Sequence, residues 1–166
     1  MSAETGRVLL VDANVLIDYV KTDVAVLGLA ASHLGQVCVL STVVAETDGL
    51  SEAQCRQLGM QVHSPSLLQV MAAGGERGSL SLEDRLCLAV AEEQGWTCLT
   101  NDGALRRACA RSRVPVMWGL ELMVELVQAG RLSAAEAVIV AEAIHRSNPL
   151  HITAAIVAQF AAKVAG

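Results

Sequence analysis

Four acidic residues, Asp12, Glu46, Asp84 and Asp102, stand where short apolar runs end or helical runs begin. Asp12 follows Val8-Leu9-Leu10-Val11, a run of the kind that forms a buried parallel strand. Asp102 follows a second such run, Thr97 to Thr100, closed by Asn101-Asp102-Gly103. Asp84 lies three residues after Ser81 at the head of a helical pattern, and Glu46 is embedded in Val43-Val44-Ala45-Glu46 behind Ser41-Thr42. In an open parallel sheet, strand C-termini and the helix N-termini that follow them share one edge, which is where ligands bind. Acids delivered to that edge can converge. Carboxylates gathered without a cation repel and raise one another's pKa, and hard oxygen donors select Mg²⁺ or Mn²⁺ to relieve this. A hydrated dication of that type beside a phosphodiester activates water and stabilises developing charge, which is hydrolysis chemistry. Each acid also has a plain structural role open to it. Asp12 can cap the helix that follows, Asp84 can complete an approximate capping box with Ser81, and Glu46 can face water.

The elements that must position these acids alternate strand with helix. After the first strand, Val15, Leu16 and Tyr19 recur at helical spacing, which puts Asn14 in the turn or the first helical residues. A helix over 23–35 ends at Gly35, a strand runs over 37–40, and Ser41 or Thr42 caps the turn that carries Glu46. A weak helix over 52–58, a short strand over 60–63 and a helix over 66–73 follow, with a turn at Gly75-Glu76-Arg77-Gly78-Ser79. A helix from Ser81 to about Gln94 is closed by Gly95; the next strand delivers Asp102, and a helix covers 104–110. The last strand, 114–117, contains Pro115 and is expected at an edge. Such alternation gives a parallel sheet, and right-handed crossovers bring its C-terminal ends to one side. The remainder is helical: a helix before Gly130, one capped by Ser133, and one capped by Thr153 and running to about Val164. Their broad apolar faces either wrap the sheet or meet another chain, so a homodimer or a protein partner is expected.

The 166 residues suit one domain over 1–166, with a core at 7–118 and a helical extension at 119–166. Hydrophobic residues make up 53% and aromatics only 2%, so small aliphatic side chains do the packing, and the few aromatics argue against a base-stacking platform. A net charge of −5 argues against indiscriminate polyanion binding and leaves room for a local basic site. Five scattered cysteines, without C-x-x-C pairs or zinc spacing, read as reduced thiols in a cytoplasmic protein. The first residues, MSAETGR, carry no apolar leader, and no run is long enough for a membrane span.

The segments VLLVDANVLIDY, TVVAET and SLEDRLCLAVAEEQGWTCLTNDGALRRAC together resemble the PIN-domain nucleases, most closely the small toxin ribonucleases of toxin–antitoxin pairs. The resemblance spans roughly Arg7 to Trp118 and is most specific over the segments carrying Asp84 and Asp102. It implies a three-layer α/β/α fold with extra C-terminal helices, and metal-dependent endonuclease action on single-stranded or structured RNA. It also implies that Asp12, Glu46, Asp84 and Asp102 form the acidic metal-binding quartet. On that basis Asp12, Asp84 and Asp102 hold Mg²⁺ or Mn²⁺, and Glu46 completes the shell or orients water. Asn14, Thr100 and Asn101 support the site, and an antitoxin is a candidate partner. Arg106, Arg107, Arg111 and Arg113, with Arg85 beside Asp84, are the candidate RNA contacts, against the default of a solvated helix face. Asp12-Ala13-Asn14 superficially resembles the DxDxT motif of haloacid-dehalogenase-like phosphatases, but Asn14 replaces the second acid. The only lysines, Lys21 and Lys163, suit neither that chemistry nor a phosphoacceptor domain. The serious alternative is a PIN scaffold that binds without cleaving.

Overall fold

The computed structural model describes residues 6–75 and 78–166. The first apolar run becomes β1 (Val8–Val11), and α1 (Ala13–Thr22) and α2 (Ala25–His33) lead to β2 (Gln36–Leu40). Helices α3 (Ser41–Glu46) and α4 (Glu52–Gln57) precede β3 (Gln61–His63), then α5 (Leu67–Gly75) and α6 (Leu82–Gln94) precede β4 (Thr97–Leu99). Helix α7 (Gly103–Arg111) and β5 (Val116–Met117) complete the sheet, and α8 (Glu121–Gln128), α9 (Ala134–Ser147) and α10 (Ala154–Ala165) follow.

All strand pairings are parallel, in the order β3-β2-β1-β4-β5. Leu10 of β1 stands beside Cys38 on one side and Cys98 on the other. The chain first steps outward from β1 to β3 and then jumps back across to β4. The direction of winding therefore reverses between β1 and β4, and the crevice of a doubly wound sheet opens at such a reversal. Right-handed crossovers put the helices of the outward leg on one face and those of the return leg on the other, giving an α/β/α sandwich. β1 is buried on both faces, with Leu9, Leu10 and Val11 fully enclosed. All five cysteines are buried and unpaired, as small core residues.

Most element boundaries agree with the sequence pattern; the exceptions have local causes. Helix α2 ends at His33 with Leu34 as its C-cap, and Gly35 takes φ +143° just beyond it. A side chain there would bring its Cβ to 2.9 Å from the Arg7 carbonyl oxygen, which already accepts the Gln36 N–H. Neither Ser41 nor Thr42 caps α3, because the helix starts directly from the strand with Leu40 as its N-cap; the Thr42 hydroxyl instead donates to Glu83 (3.2 Å). β5 is shorter than the apolar run, since Pro115 has no N–H to give the ladder; its carbonyl accepts from Cys98 just before the strand begins. The strand lies at the sheet edge. The turn expected at Gly75-Glu76-Arg77-Gly78-Ser79 lies partly outside the described residues.

The C-terminal extension wraps the outward-leg layer. α9 packs on α1, and α10 packs on α8 and α9. Ala137, Val140, Ala141 and Ile144 are buried in the seam, where a fully buried aliphatic side chain of Ile size stabilises by about 1.5–3 kcal/mol. Two polar ties fix the docking. Asn148, at the end of α9, donates to the buried Asp18 of α1 (3.1 Å), and the fully buried Tyr19 hydroxyl donates to the Gly119 carbonyl (2.7 Å). No helix among the described residues is long and apolar enough to cross a membrane.

Candidate active site

The site lies across the reversal point. The Asp12 main-chain N–H donates to the Leu99 carbonyl (3.0 Å), so the ends of β1 and β4 are held side by side. Asp12 has the extended backbone of an N-cap residue but makes no side-chain cap bond. Its carboxylate turns toward β4 instead, where Oδ2 accepts a hydrogen bond from the Thr100 hydroxyl (2.8 Å). The same Thr100 oxygen accepts the main-chain N–H of Asp102 (3.0 Å). One hydroxyl with no solvent exposure thus fixes the spacing between two acids delivered by different strands. Asp12 is itself only 1% exposed, and its Oδ1 is buried without a hydrogen-bond partner. Burial pushes its pKa up; the Thr100 hydroxyl opposes this, and the charge of Asp102 reinforces it.

Asp84 arrives from the opposite layer. Its main-chain N–H donates to the Ser81 hydroxyl (3.1 Å), which caps α6, but no reciprocal bond runs from its carboxyl to the Ser81 amide. The carboxyl is therefore free to meet Asp102, which lies within hydrogen-bonding reach. Burial first, then the Asp12 charge and the Asp102 carboxyl, push its pKa up to about 7. Near neutral pH Asp84 accordingly keeps part of its proton beside the Asp12 and Asp102 side chains. Asp102 also accepts the Ala104 N–H (3.1 Å), so the cap role and the pocket role coexist in one residue.

The other sequence candidates divide. Glu46 ends α3 and is exposed, so the water-facing alternative describes its position, and it is not embedded as the apolar flanks suggested. Asn14 is exposed at the second position of α1. Asn101 is a latch: its Oδ1 accepts the Gly119 N–H (2.9 Å) and ties the sheet edge to the entry of α8. Glu83, overlooked in the sequence, bridges α6 to α3 through Thr42, and its only signal was adjacency to Asp84. The arginine run also splits. Arg106 lays its guanidinium over the Trp118 indole, 3.5 Å from the ring centroid. Arg107 and Arg111, with Arg85 from α6, line a cavity of about 280 Å³ among α5, α6 and α7. Arg113 is exposed past the end of α7 with φ +58°.

Asp12, Asp84 and Asp102 are in electrostatic contact, yet among the described residues no three His, Cys, Asp or Glu side chains form a ready metal cage. The donor set nevertheless fits a hard divalent ion. It is all oxygen, it includes the unpartnered buried Oδ1 of Asp12, and the Asp12 and Asp102 side chains raise the pKa of Asp84, a repulsion that a cation would relieve.

An all-parallel α/β/α sandwich with carboxylates at its reversal point defines the class. Among solved structures, the chain is similar to a PilT N-terminus (PIN) domain protein from the hyperthermophilic archaeon Sulfolobus solfataricus P2. The match has a TM-score of 0.51 at 13% sequence identity and covers 71% of this chain and 92% of that one. The likeness is one of fold. No family model matches the chain, and no curated protein does.

Proposed function

We propose that the protein is a Mg²⁺- or Mn²⁺-dependent endoribonuclease of the PIN type, acting as the toxin of a toxin–antitoxin pair. The observation that carries this reading is the Asp12–Thr100–Asp102 bridge at the β1/β4 reversal point, with Asp84 driven against it from α6. A divalent ion bound there supplies charge stabilisation at the phosphate and lowers the pKa of a bound water. Asp12, Asp84 and Asp102 would hold it. Thr100 is a positioning residue, since it orients Asp12 and touches nothing that reacts. The arginines of the α5–α6–α7 cavity would take the RNA backbone, compensating locally for a net charge of −5. Leu67, Leu68 and Met71, exposed on α5, would be covered by a second copy or by a partner protein such as an antitoxin.

Two observations favour the second reading, a PIN scaffold that binds without cleaving: Glu46 faces solvent, and no metal cage is ready-made among the described residues. The two separate in a cleavage assay on single-stranded RNA with Mn²⁺, with and without chelator. The nuclease reading expects cleavage that chelator stops and that Asp12→Asn or Asp102→Asn abolishes with the fold intact. Metal-independent activity, or an active double variant, would falsify it.

A further inference from the structure

The chain contains two Trp, one Tyr and one Phe, and two of these four aromatics line the same cavity. It lies between Trp118, the head of α8 and α10, and encloses about 390 Å³, within the ~300–1,000 Å³ usual for small-ligand clefts. Trp118, Ile152, Ile156 and Phe160 supply its apolar wall, and Asn101 and Gln159 supply amides. Lys163, one of only two lysines in the chain, stands there too, as do His151 and Glu121, whose carboxylate accepts the Trp118 main-chain N–H (3.4 Å).

The rim of the cavity is tied to the segment that carries Asp102. Trp118 is 45% exposed and held by the guanidinium of Arg106. Gly119, the next residue, is fixed by Asn101 through its N–H and by Tyr19 through its carbonyl. A Cβ at Gly119 would lie 3.0 Å from Asn101 Nδ2, so this close approach excludes larger residues. Asn101, which lines the cavity, is the chain neighbour of Asp102.

We infer that this cavity receives a nucleobase of the RNA, beside the phosphate presented to Asp12, Asp84 and Asp102. The inference rests on the nuclease reading for the nature of the substrate. An indole with an apolar floor takes the flat face of any base, and side-chain amides read its edge. Lys163 offers a cation to the neighbouring phosphate. A single pocket of this kind is compatible with an aromatic content too low for a stacking platform. It also gives the C-terminal extension a task, because Ile152, Ile156, Gln159, Phe160 and Lys163 all lie beyond the sheet.

The test uses the full chain carrying Asp12→Asn, to keep RNA intact, and Trp96→Phe, to leave Trp118 as the sole indole. Its emission is titrated in Mg²⁺ with a single-stranded RNA of about ten nucleotides and with an abasic strand of equal length and charge. The inference expects quenching by the intact strand and binding of the abasic strand weaker by roughly 5- to 150-fold. Ile156→Asp, at a partly exposed wall position, should bring intact RNA down to the abasic value with an unchanged circular dichroism spectrum. Equal binding of the two strands, while the unaltered protein still cleaves RNA, removes the subsite and leaves the nuclease reading standing. Binding of neither strand overturns both. Quenching by an apolar peptide but not by RNA would mark the cavity as a protein-docking surface and also overturn the inference.

Discussion

Asp84→Asn should make the metal-free protein more stable above pH 7 and remove its response to Mg²⁺. In the unfolded chain Asp84 ionises near 3.8, whereas in the folded protein it does so near 7. Between those values the native state keeps a proton that the unfolded state has released. Its contribution to stability is therefore full below about pH 4 and is lost as pH rises toward 7. The displacement sets a ceiling of about 4 kcal/mol, at ~1.4 kcal/mol per tenfold change in proton affinity. The carboxyl is only half-buried, so solvent screening reduces that by about half. Asparagine also forgoes a favourable charge in the first turn of α6, a further loss of about 0.3–1 kcal/mol. About 1–2 kcal/mol remains, or a rise in Tm of about 2–8 °C for a chain of this size.

Thermal unfolding followed by circular dichroism, in chelator from pH 5 to 8.5, measures this directly. The unaltered protein should lose stability as pH rises, and Asp84→Asn should lose less, keeping only the part that the buried Asp12 and Asp18, also raised by burial, contribute. Saturating Mg²⁺, at about 100 times its Kd, should restore about 2.7 kcal/mol to the unaltered protein and much less to the variant. A variant that is the less stable of the two at pH 8 in chelator, or that gains as much from Mg²⁺, would refute the idea of a carboxylate pocket strained for want of a cation.

Thr100→Val keeps the shape of a fully buried side chain but deletes the donor to Asp12 and the acceptor for Asp102; denaturant unfolding should show a loss of about 1–3 kcal/mol, and metal-dependent cleavage should fall with it. Gly35→Ala meets both a left-handed φ and the Arg7 carbonyl, so urea unfolding should register a cost of about 1–3 kcal/mol with the site chemistry unchanged. Arg107→Glu with Arg111→Glu should weaken RNA binding far more at 50 mM than at 500 mM salt, since exposed charges act through a Debye length of roughly 10 Å at 0.1 M; equal weakening at both would assign these side chains a role other than phosphate contact.

The acids at strand ends were legible because the cue is short-ranged. An apolar run followed by Asp-Ala-Asn or Thr-Asn-Asp-Gly says where a strand stops, and the stop alone puts Asp12 and Asp102 at the sheet's ligand edge. Asp84 was legible for the same reason, as the third residue after a serine cap. Glu46 was not, because in a six-residue helix the flanking Val43, Val44 and Ala45 do not decide which side meets solvent. Contacts between distant segments left still less trace: the Asp18–Asn148 tie and the Trp118–Phe160 cavity join residues whose local patterns are unrelated. The deepest reason concerns strand order. Right-handed crossovers bring every strand's C-terminus to one edge whatever the order, so convergence of the acids on an edge follows from alternation of strands and helices. Which two strands are neighbours does not follow from it. The order β3-β2-β1-β4-β5 puts the ends of β1 and β4 side by side, and that adjacency lets the Thr100 hydroxyl reach Asp12. A sheet of the same strands in an order that separated β1 from β4 would present the same acids on the same edge without that bridge, and Asp12 and Asp102 would not be held at one spacing by a single hydroxyl.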